Sequence, residues 1–141
     1  MYRRGMHLHR LLPFCLFVQL LTAHEGHGKK TAPASAKVLK SPLGAAQAKA
    51  ELGRPFYESA CGSCHGMDGH AKTPAAAQMK AKPVDLTDHR MDSMKDGEIY
   101  WVITNGIGKT MPGFKAGLSD VERWQVVVYV RQLRAHGSHH D

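Results

Sequence analysis

The most regular hydrophobic pattern in the chain lies near its carboxyl end. Apolar side chains recur there at the spacing of one helix face, at Trp124, Val127, Val128 and Leu133. Ser119 followed by Glu122 has the pattern of a capping box, which marks the start of a helix. The many valines would also suit a strand, but the cap, the length and the lack of other predicted strands favour a helix to about Ala135.

A second helix is predicted over Asp96–Asn105. Its apolar positions, Ile99, Val102 and Ile103, fall at helical spacing. Asp96 is a candidate amino-terminal cap, because a short carboxylate can accept from the first free N–H groups. Gly106 follows the last periodic residue and is expected to end the helix.

Two short helices are predicted in the first half of the domain. Ser41-Pro42 can cap and start one helix that continues to about Leu52. Gly53-Arg54-Pro55 then interrupts the pattern, since proline fits only the first turn of a helix. The next helix is therefore expected to begin near Arg54 and to end near Cys61.

The remaining parts of the domain have the composition of loops. Residues 62–88 and 106–117 are rich in glycine and proline and show little periodicity, apart from a short predicted helix at Pro74–Met79. The elements add up to a small all-α domain over residues 51–135. About 85 residues give a marginal core, and domains of this size often depend on a staple or a cofactor.

The first 23 residues have the pattern of a secretory signal peptide. Three arginines, Arg3, Arg4 and Arg10, precede a mostly apolar stretch over residues 11–21, and Ala23 suits signal peptidase. The alternative is an uncleaved membrane anchor, but a membrane span needs about 20 apolar residues. Cleavage after about Ala23 is expected, and export indicates a bacterial periplasm.

Composition divides the rest of the mature chain and limits its partners. Residues 24–50 form a lysine- and alanine-rich leader that is expected to be flexible, and residues 136–141 form a histidine-rich tail. The histidines of these segments, His24, His27, His136, His139 and His140, are expected to bind metal only adventitiously. Loss of three arginines with the signal lowers the net charge from +7 to +4. No nucleic-acid partner is expected, because charge counting gives no basic face on the folded part.

Cys61-Gly62-Ser63-Cys64-His65 is the attachment motif of a c-type haem. Cys15 lies in the predicted signal, so Cys61 and Cys64 are the two cysteines left, and no disulfide framework can form. Two thiols at this spacing can each add to a vinyl group of one porphyrin, while His65 supplies the proximal iron ligand. Two rival interpretations remain: a thiol–disulfide oxidoreductase, and a zinc site in which His70 joins the motif.

Met111 is the best candidate for the second axial ligand. It lies in Gly108-Lys109-Thr110-Met111-Pro112-Gly113-Phe114, where a proline between glycines would constrain a loop that reaches the iron. The alternative is that Met111 only fills the core, which is the usual role of methionine.

The chain resembles the class I monohaem cytochromes c of bacteria, including the c-type domain of cbb3-type oxidases. The match covers about residues 52–133. Gly53 and Tyr57 stand before the motif as the family's first-helix glycine and aromatic do, and Tyr129-Val130 matches the pair on its last helix. The resemblance implies a small all-α cytochrome c fold, with three to five helices around one covalently attached haem. It also implies that the first and last helices cross, with Gly53 near the Tyr129 region.

Two further residues are candidates for the haem site, and the resemblance suggests the first of them. Pro74 resembles the proline whose carbonyl accepts the Nδ1–H of the proximal histidine, a bond that would raise the basicity of the ligand. Trp101 is expected to form a wall of the haem pocket or, as an alternative, to donate its indole N–H to a propionate.

The function expected from these residues is electron transfer rather than catalysis. The chain would be a periplasmic cytochrome that carries single electrons between redox partners: a quinol-oxidising complex, a terminal oxidase or a reaction centre. One alternative is a fixed haem c subunit of a respiratory or photosynthetic membrane complex. A less favoured one is a haem enzyme in which Met111 is displaced.

Overall fold

Five α-helices form the framework of the part of the chain that the computed structural model describes, residues 31–137. They are α1 (Ala50–Ala60), α2 (Gly62–His65), α3 (Pro74–Gln78), α4 (Asp96–Asn105) and α5 (Asp120–Gly137). Two 3₁₀ helices, Ala34–Val38 and His89–Ser93, precede α1 and α4. Within the described range the only β pairing is an isolated bridge between Ile107 and Met111. The predicted all-α fold class is confirmed.

Helices α1 and α5 cross at very short range. A Cβ atom at Gly53 would lie 2.0 Å from the backbone oxygen of Gln125 and 3.1 Å from the nitrogen of Val126. Glycine is therefore required there for the two backbones to approach. One turn further along, the rings of Tyr57 and Tyr129 contact at 5.0 Å between centroids. The predicted crossing is present, and Gly53 meets α5 one turn before Tyr129.

Helix α1 is one continuous helix where the sequence predicted two. It begins at Ala50 and continues through Pro55 to Ala60. Pro55 lies on the exposed face of the helix. Because proline has no N–H, the carbonyl of Glu51 loses its helical hydrogen bond, but Glu51 is also exposed. The buried face, with Gly53 and Tyr57, packs against α5, so tertiary contact outweighs the local penalty. The segment before it contains only a turn, in which Gln47 donates to the Gly44 carbonyl at 2.9 Å.

Part of the predicted flexible leader packs against the domain. The 3₁₀ helix Ala34–Val38 lies against the start of α4, and Ala36 is 1% exposed. A Cβ atom at Gly97 would lie 2.1 Å from the Ala36 oxygen. This stretch of the predicted flexible leader lies in a groove that Gly97 opens and that small side chains can fill.

The start of α4 also differs from the prediction. Asp96 is the first helical residue, and the cap position belongs to Lys95, whose backbone N–H donates to the Glu98 carboxylate at 2.9 Å. Asp96 instead accepts from the Arg131 Nε atom of α5 at 2.8 Å. The long-range ion pair thus replaces the local cap. Gly106 ends α4 with a φ of +72°, as predicted.

The predicted start of α5 is confirmed in detail. The Ser119 backbone N–H donates to the Glu122 carboxylate at 2.7 Å, and the Glu122 N–H donates to the Ser119 hydroxyl at 3.3 Å. The helix continues two residues beyond the predicted end, to Gly137. Its buried face includes Trp124, Val127 and Leu133.

A buried arginine ties α5 to the loop before it. The side chain of Arg123 is 4% exposed. Its guanidinium donates to the Leu118 carbonyl and to the Asp120 carboxylate, and it contacts the Lys115 carbonyl at 3.3 Å. The Tyr100 hydroxyl also donates to Asp120, at 2.7 Å. These bonds join α4, α5 and the loop that precedes α5.

Residues 1–30 and 138–141 lie outside the described residues. The predicted signal peptide, cleavage site, Cys15 and the histidines His24, His27, His139 and His140 all fall there. Between residues 31 and 137, no helix is both long enough and apolar enough to cross a membrane.

The helix crossing gives a direct stability test. Gly53→Ala should lower the free energy of unfolding of the haem-loaded protein by about 1–3 kcal/mol, because the methyl group collides with the α5 backbone. Equilibrium guanidinium denaturation measures this change. The matched control is Gly44→Ala, where an added Cβ meets nothing within 4 Å and the change should stay within about 0.5 kcal/mol. Equal effects at the two positions would contradict the crossing.

The Asp120 contact predicts a pH-dependent part of the stability. The Tyr100 hydroxyl and the Arg123 guanidinium hold the pKa of Asp120 below its ordinary value. The stabilisation is therefore complete above the unfolded-state pKa of about 3.9, and it is lost as the pH falls through the lower folded-state pKa. Wild type should exceed Asp120→Asn in denaturant midpoint at pH 6, and the gap should close between about pH 4 and pH 2. Glu51→Gln, at an exposed carboxylate of α1, is the control and should produce no such gap.

Candidate functional site

An apolar cavity of about 100 Å³ lies under the crossing of α1 and α5. Its walls come from every α-helix except α3, and from the loops over residues 62–88 and 106–117. Its lining consists of Tyr57, Cys61, His65, Val84, Leu86, Met91, Met94, Ile99, Val102, Ile103, Ile107, Met111, Val126 and Val130. Both predicted axial ligands, His65 and Met111, are among these residues.

The haem-attachment motif continues directly from α1 into α2. The Cys61 N–H donates to the Tyr57 carbonyl at 2.8 Å, and the His65 N–H donates to the Cys61 carbonyl at 2.9 Å. Cys61 and His65 are thus one helical turn apart and share a face. Both line the cavity, whereas Cys64 is half-buried and lies outside the lining. Neither cysteine forms a disulfide.

The imidazole of His65 is buried and oriented by one hydrogen bond. Its Nδ1 atom lies 3.1 Å from the carbonyl oxygen of Val84. A carbonyl can only accept, so Nδ1 carries the proton and Nε2 keeps a free lone pair. Burial lowers the pKa of His65, and the bond to Val84 only partly opposes this effect. The ring is therefore a neutral imidazole with Nε2 available, which is the form that ligates metals.

The partner of His65 corrects the prediction about Pro74. Pro74 is the first residue of α3, where Thr73 caps the helix by accepting from the Ala76 N–H at 3.0 Å. The carbonyl that contacts His65 belongs to Val84, ten residues later. Sequence reasoning missed Val84, although Pro83 before it was an available signal. A loop of this length does not show from its sequence alone which of its prolines lies beside the histidine.

A short loop after α4 holds Met111 at the cavity. The Ile107 N–H donates to the Met111 carbonyl at 2.9 Å, and the Phe114 N–H donates to the Ile103 carbonyl at 2.9 Å. Gly106 permits this tight turn, because a Cβ atom there would lie 2.3 Å from the Met111 oxygen. The loop thus brings Met111 to the same cavity as His65. Met91, which is 3% exposed, and Met94 also line the cavity.

Trp101 does not reach the cavity. The residues of α4 that line it are Ile99, Val102 and Ile103, which occupy one face of the helix. Trp101 lies half-buried beside that face, and its carbonyl accepts from the Asn105 side-chain amide at 2.9 Å. The structure therefore places Val102 where a pocket wall was predicted for Trp101.

The two rival interpretations of the motif find no support in this geometry. Burial raises the pKa of the Cys61 thiol to about 11, whereas a redox-active thiol needs a lowered pKa. Among residues 31–137, no three His, Cys, Asp or Glu side chains form a group that could hold a metal ion. His70, the fourth ligand of the supposed zinc site, instead contacts Asp85 at 3.2 Å.

The donor set fits a haem of the c type. A thiol from Cys61 and an imidazole from His65 reach one apolar cavity from the same helical face, and a thioether from Met111 reaches it from a separate loop. A soft sulfur and a neutral imidazole are common axial ligands of haem iron. The apolar lining suits a porphyrin, whose large ring is hydrophobic.

Comparison with known proteins agrees with this reading. The family model described as cytochrome c oxidase, cbb3-type, subunit III matches residues 48–130. The cbb3-type cytochrome c oxidase subunit CcoP of Azospirillum brasilense is 28% identical over 86 residues, which are 61% of this chain and 29% of that protein. The chain thus spans less than a third of the length of this curated relative.

Two solved structures resemble the domain. One is the Kuenenia stuttgartiensis reducing HAO-like protein complex Kustc0457/Kustc0458, with a TM-score of 0.56, 29% identity, and coverage of 68% of this chain and 47% of that chain. The other is the KustC0563 c-type cytochrome, with a TM-score of 0.52, 28% identity, and coverage of 58% and 96%. The family model covers more than half of the chain. The chain therefore belongs to the cbb3-type cytochrome c oxidase subunit III family, with the small all-α fold of a c-type cytochrome and covalently bound haem c as its cofactor.

Proposed function

We propose that this chain is an exported single-electron carrier whose haem c iron is held between His65 and Met111. The observation that supports this most directly is the shared cavity: His65 and Met111 come from different parts of the chain, 46 positions apart in number, and both line it with Cys61. When bound, haem c supplies the one-electron iron couple.

Cys61 and Cys64 are the proposed attachment residues. Each thiol would add across one vinyl group of the haem, with its sulfur forming the thioether bond and its hydrogen going to the neighbouring vinyl carbon. The turn of α2 keeps the two thiols close to the cavity, with Cys61 8% exposed and Cys64 half-buried. Covalent attachment also fixes the cofactor relative to His65, which directly follows Cys64.

His65 and Met111 have different tasks in this proposal. The Val84 carbonyl holds the His65 ring in one tautomer, so Nε2 is ready to ligate without rearrangement. Met111 offers a neutral, polarisable thioether, which favours the reduced state and a relatively high potential. The short bridge to Ile107 and the contact of Phe114 with α4 limit the movement of this ligand.

The polypeptide contributes a rigid, dry environment rather than a reaction. The side chains around the ligands are almost all hydrocarbon or thioether, so little solvent has to reorganise when the charge changes. No step of substrate chemistry is needed, which is why we propose a carrier and not an enzyme. The braced Met111 loop also disfavours the alternative of a haem enzyme, since that mechanism needs the methionine to leave.

The predicted signal peptide supports export to the periplasm, where a quinol-oxidising complex, a terminal oxidase or a reaction centre could exchange electrons with the chain. The alternative is a fixed haem c subunit of a membrane complex. Membership in an oxidase-subunit family is the observation that supports this alternative.

The attachment proposal can be tested by changing each cysteine. Cys61→Ser and Cys64→Ser should each leave one thioether and shift the alkaline pyridine spectrum from that of wild type. The double variant should lose all haem on a denaturing gel. Cys15→Ser, in the predicted signal peptide, is the matched control and should attach haem normally. Covalent haem in the double variant would overturn the assignment.

The ligand proposal can be tested at three methionines that share the cavity. Met111→Ala should remove the weak far-red band of methionine-ligated ferric haem. It should also lower the midpoint potential by at least about 59 mV, a tenfold change for one electron. Met91→Leu and Met94→Leu keep the apolar volume and should retain the band. Loss of the band in Met94→Leu and its survival in Met111→Ala would assign the ligand to Met94 instead.

A further inference from the structure

Three polar side chains form a cluster outside the cavity. The Nδ1 atom of His70 lies 3.2 Å from Asp85 Oδ2 and 3.1 Å from the Thr87 hydroxyl. The Thr87 hydroxyl donates to Asp85 Oδ1 at 2.6 Å, and the Thr87 backbone N–H donates to the same oxygen at 2.8 Å. Because Thr87 gives its proton to Asp85, the His70 Nδ1–H donates to both partners.

The cluster joins two loops that both touch His65. The first loop follows the motif, and its Ala71 N–H donates to the His65 backbone carbonyl at 2.7 Å. The second loop, residues 79–88, contains Val84, whose carbonyl accepts from the His65 ring. A backbone bond from the Leu86 N–H to the Gly69 carbonyl, at 2.8 Å, runs beside the cluster. His65 is thus the point where a closed ring of hydrogen bonds begins and ends.

We propose that His70, Asp85 and Thr87 are positioning residues that set the strength of the His65–Val84 hydrogen bond, and through it the potential of the haem. The inference rests on the proposed function, since it requires His65 to ligate the iron. Asp85 directly follows Val84, and His70 directly precedes Ala71. Tying these two neighbours together fixes the Val84 carbonyl against the His65 ring.

The ionic state of Asp85 supports this role. Partial burial acts to raise the pKa of Asp85, but the hydrogen bonds from Thr87 and His70 outweigh it, and the pKa lies below its ordinary value. The carboxylate is therefore ionised at neutral pH and accepts strong hydrogen bonds. It can hold the second loop in place because both of its oxygens are engaged.

The direction of the effect follows from ligand basicity. A firm Nδ1–H···O=C bond makes the imidazole more electron-rich, which stabilises the ferric iron. If the cluster is lost, the Val84 carbonyl becomes free to move and that bond weakens. The ferric state then loses stabilisation, and the midpoint potential rises.

His70→Ala is the main test variant, in the haem-loaded protein. It should raise the midpoint potential by the equivalent of at least a threefold change in the equilibrium constant, about 28 mV at ~59 mV per tenfold. It should also speed solvent exchange of the His65 Nδ1 proton, followed by NMR, at least fivefold. His70→Asn keeps an N–H near the Nδ1 position and should restore both values towards wild type.

Thr87→Val keeps the test open if His70→Ala fails to fold. It changes no formal charge, so a rise in potential must come through the hydrogen bonds and not through a lost carboxylate or cation. Thr87→Ser keeps the hydroxyl and is its rescue. His89→Ala, at an imidazole that is 85% exposed and outside the cluster, is the common control and should leave potential and exchange unchanged.

The outcomes separate this inference from the function on which it rests. Wild type without a c-type haem spectrum would end the proposed function, and the inference with it. If wild type carries haem c but His70→Ala and Thr87→Val lose only thermal stability, at unchanged potential and proton exchange, the cluster is merely structural. That result would overturn the positioning role and leave the electron carrier intact.

Discussion

The contact on which the rest of the domain depends is the backbone crossing of α1 and α5 at Gly53. With the Gln125 oxygen only 2.0 Å from where a Cβ would lie, no other residue lets the helices approach this closely. The approach brings the rings of Tyr57 and Tyr129 into a tilted contact one turn later, and the Tyr57 hydroxyl donates to the Gly66 carbonyl at 2.7 Å. One further turn along α1 brings Cys61 to the cavity. The crossing therefore sets the place of the attachment motif relative to the apolar face of α5.

The two sides of the cavity are built by different rules. On the proximal side, Cys61 and His65 share a face because four residues make about one helical turn, so local geometry alone aligns them. On the distal side, Met111 reaches the cavity only because Gly106 turns the chain and Phe114 ties the loop back to α4. A side chain placed by helical spacing is held rigidly at little energetic cost, whereas a side chain placed by a loop needs bracing from elsewhere.

This difference explains what the sequence could predict. The motif and the Ser119–Glu122 cap are local signals, and the structure places both as local rules require. Met111 was predicted from the proline and glycines around it, but its position at the cavity depends on the contact of its loop with α4. The partner of His65 is 19 residues away, and nothing local distinguishes Val84 from Pro74. The continuity of α1 through Pro55 and the docking of Ala34–Val38 depend in the same way on contacts with other helices. Such features become visible only when the elements are assembled.

Charged side chains outside the core provide the bracing that loops around a cofactor require. Arg131 of α5 donates to the carbonyls of Met91 and Met94, which hold one wall of the cavity, and to Asp96 at the start of α4. Arg123 binds the carbonyls just before α5 in the same manner. A guanidinium suits this task because its fork of donors can satisfy several carbonyls at once. Helix α5 thus supports the cavity with its apolar face and fixes the surrounding loops with its arginines. A substitution in α5 should therefore alter the surroundings of the haem even where no α5 side chain ligates the iron.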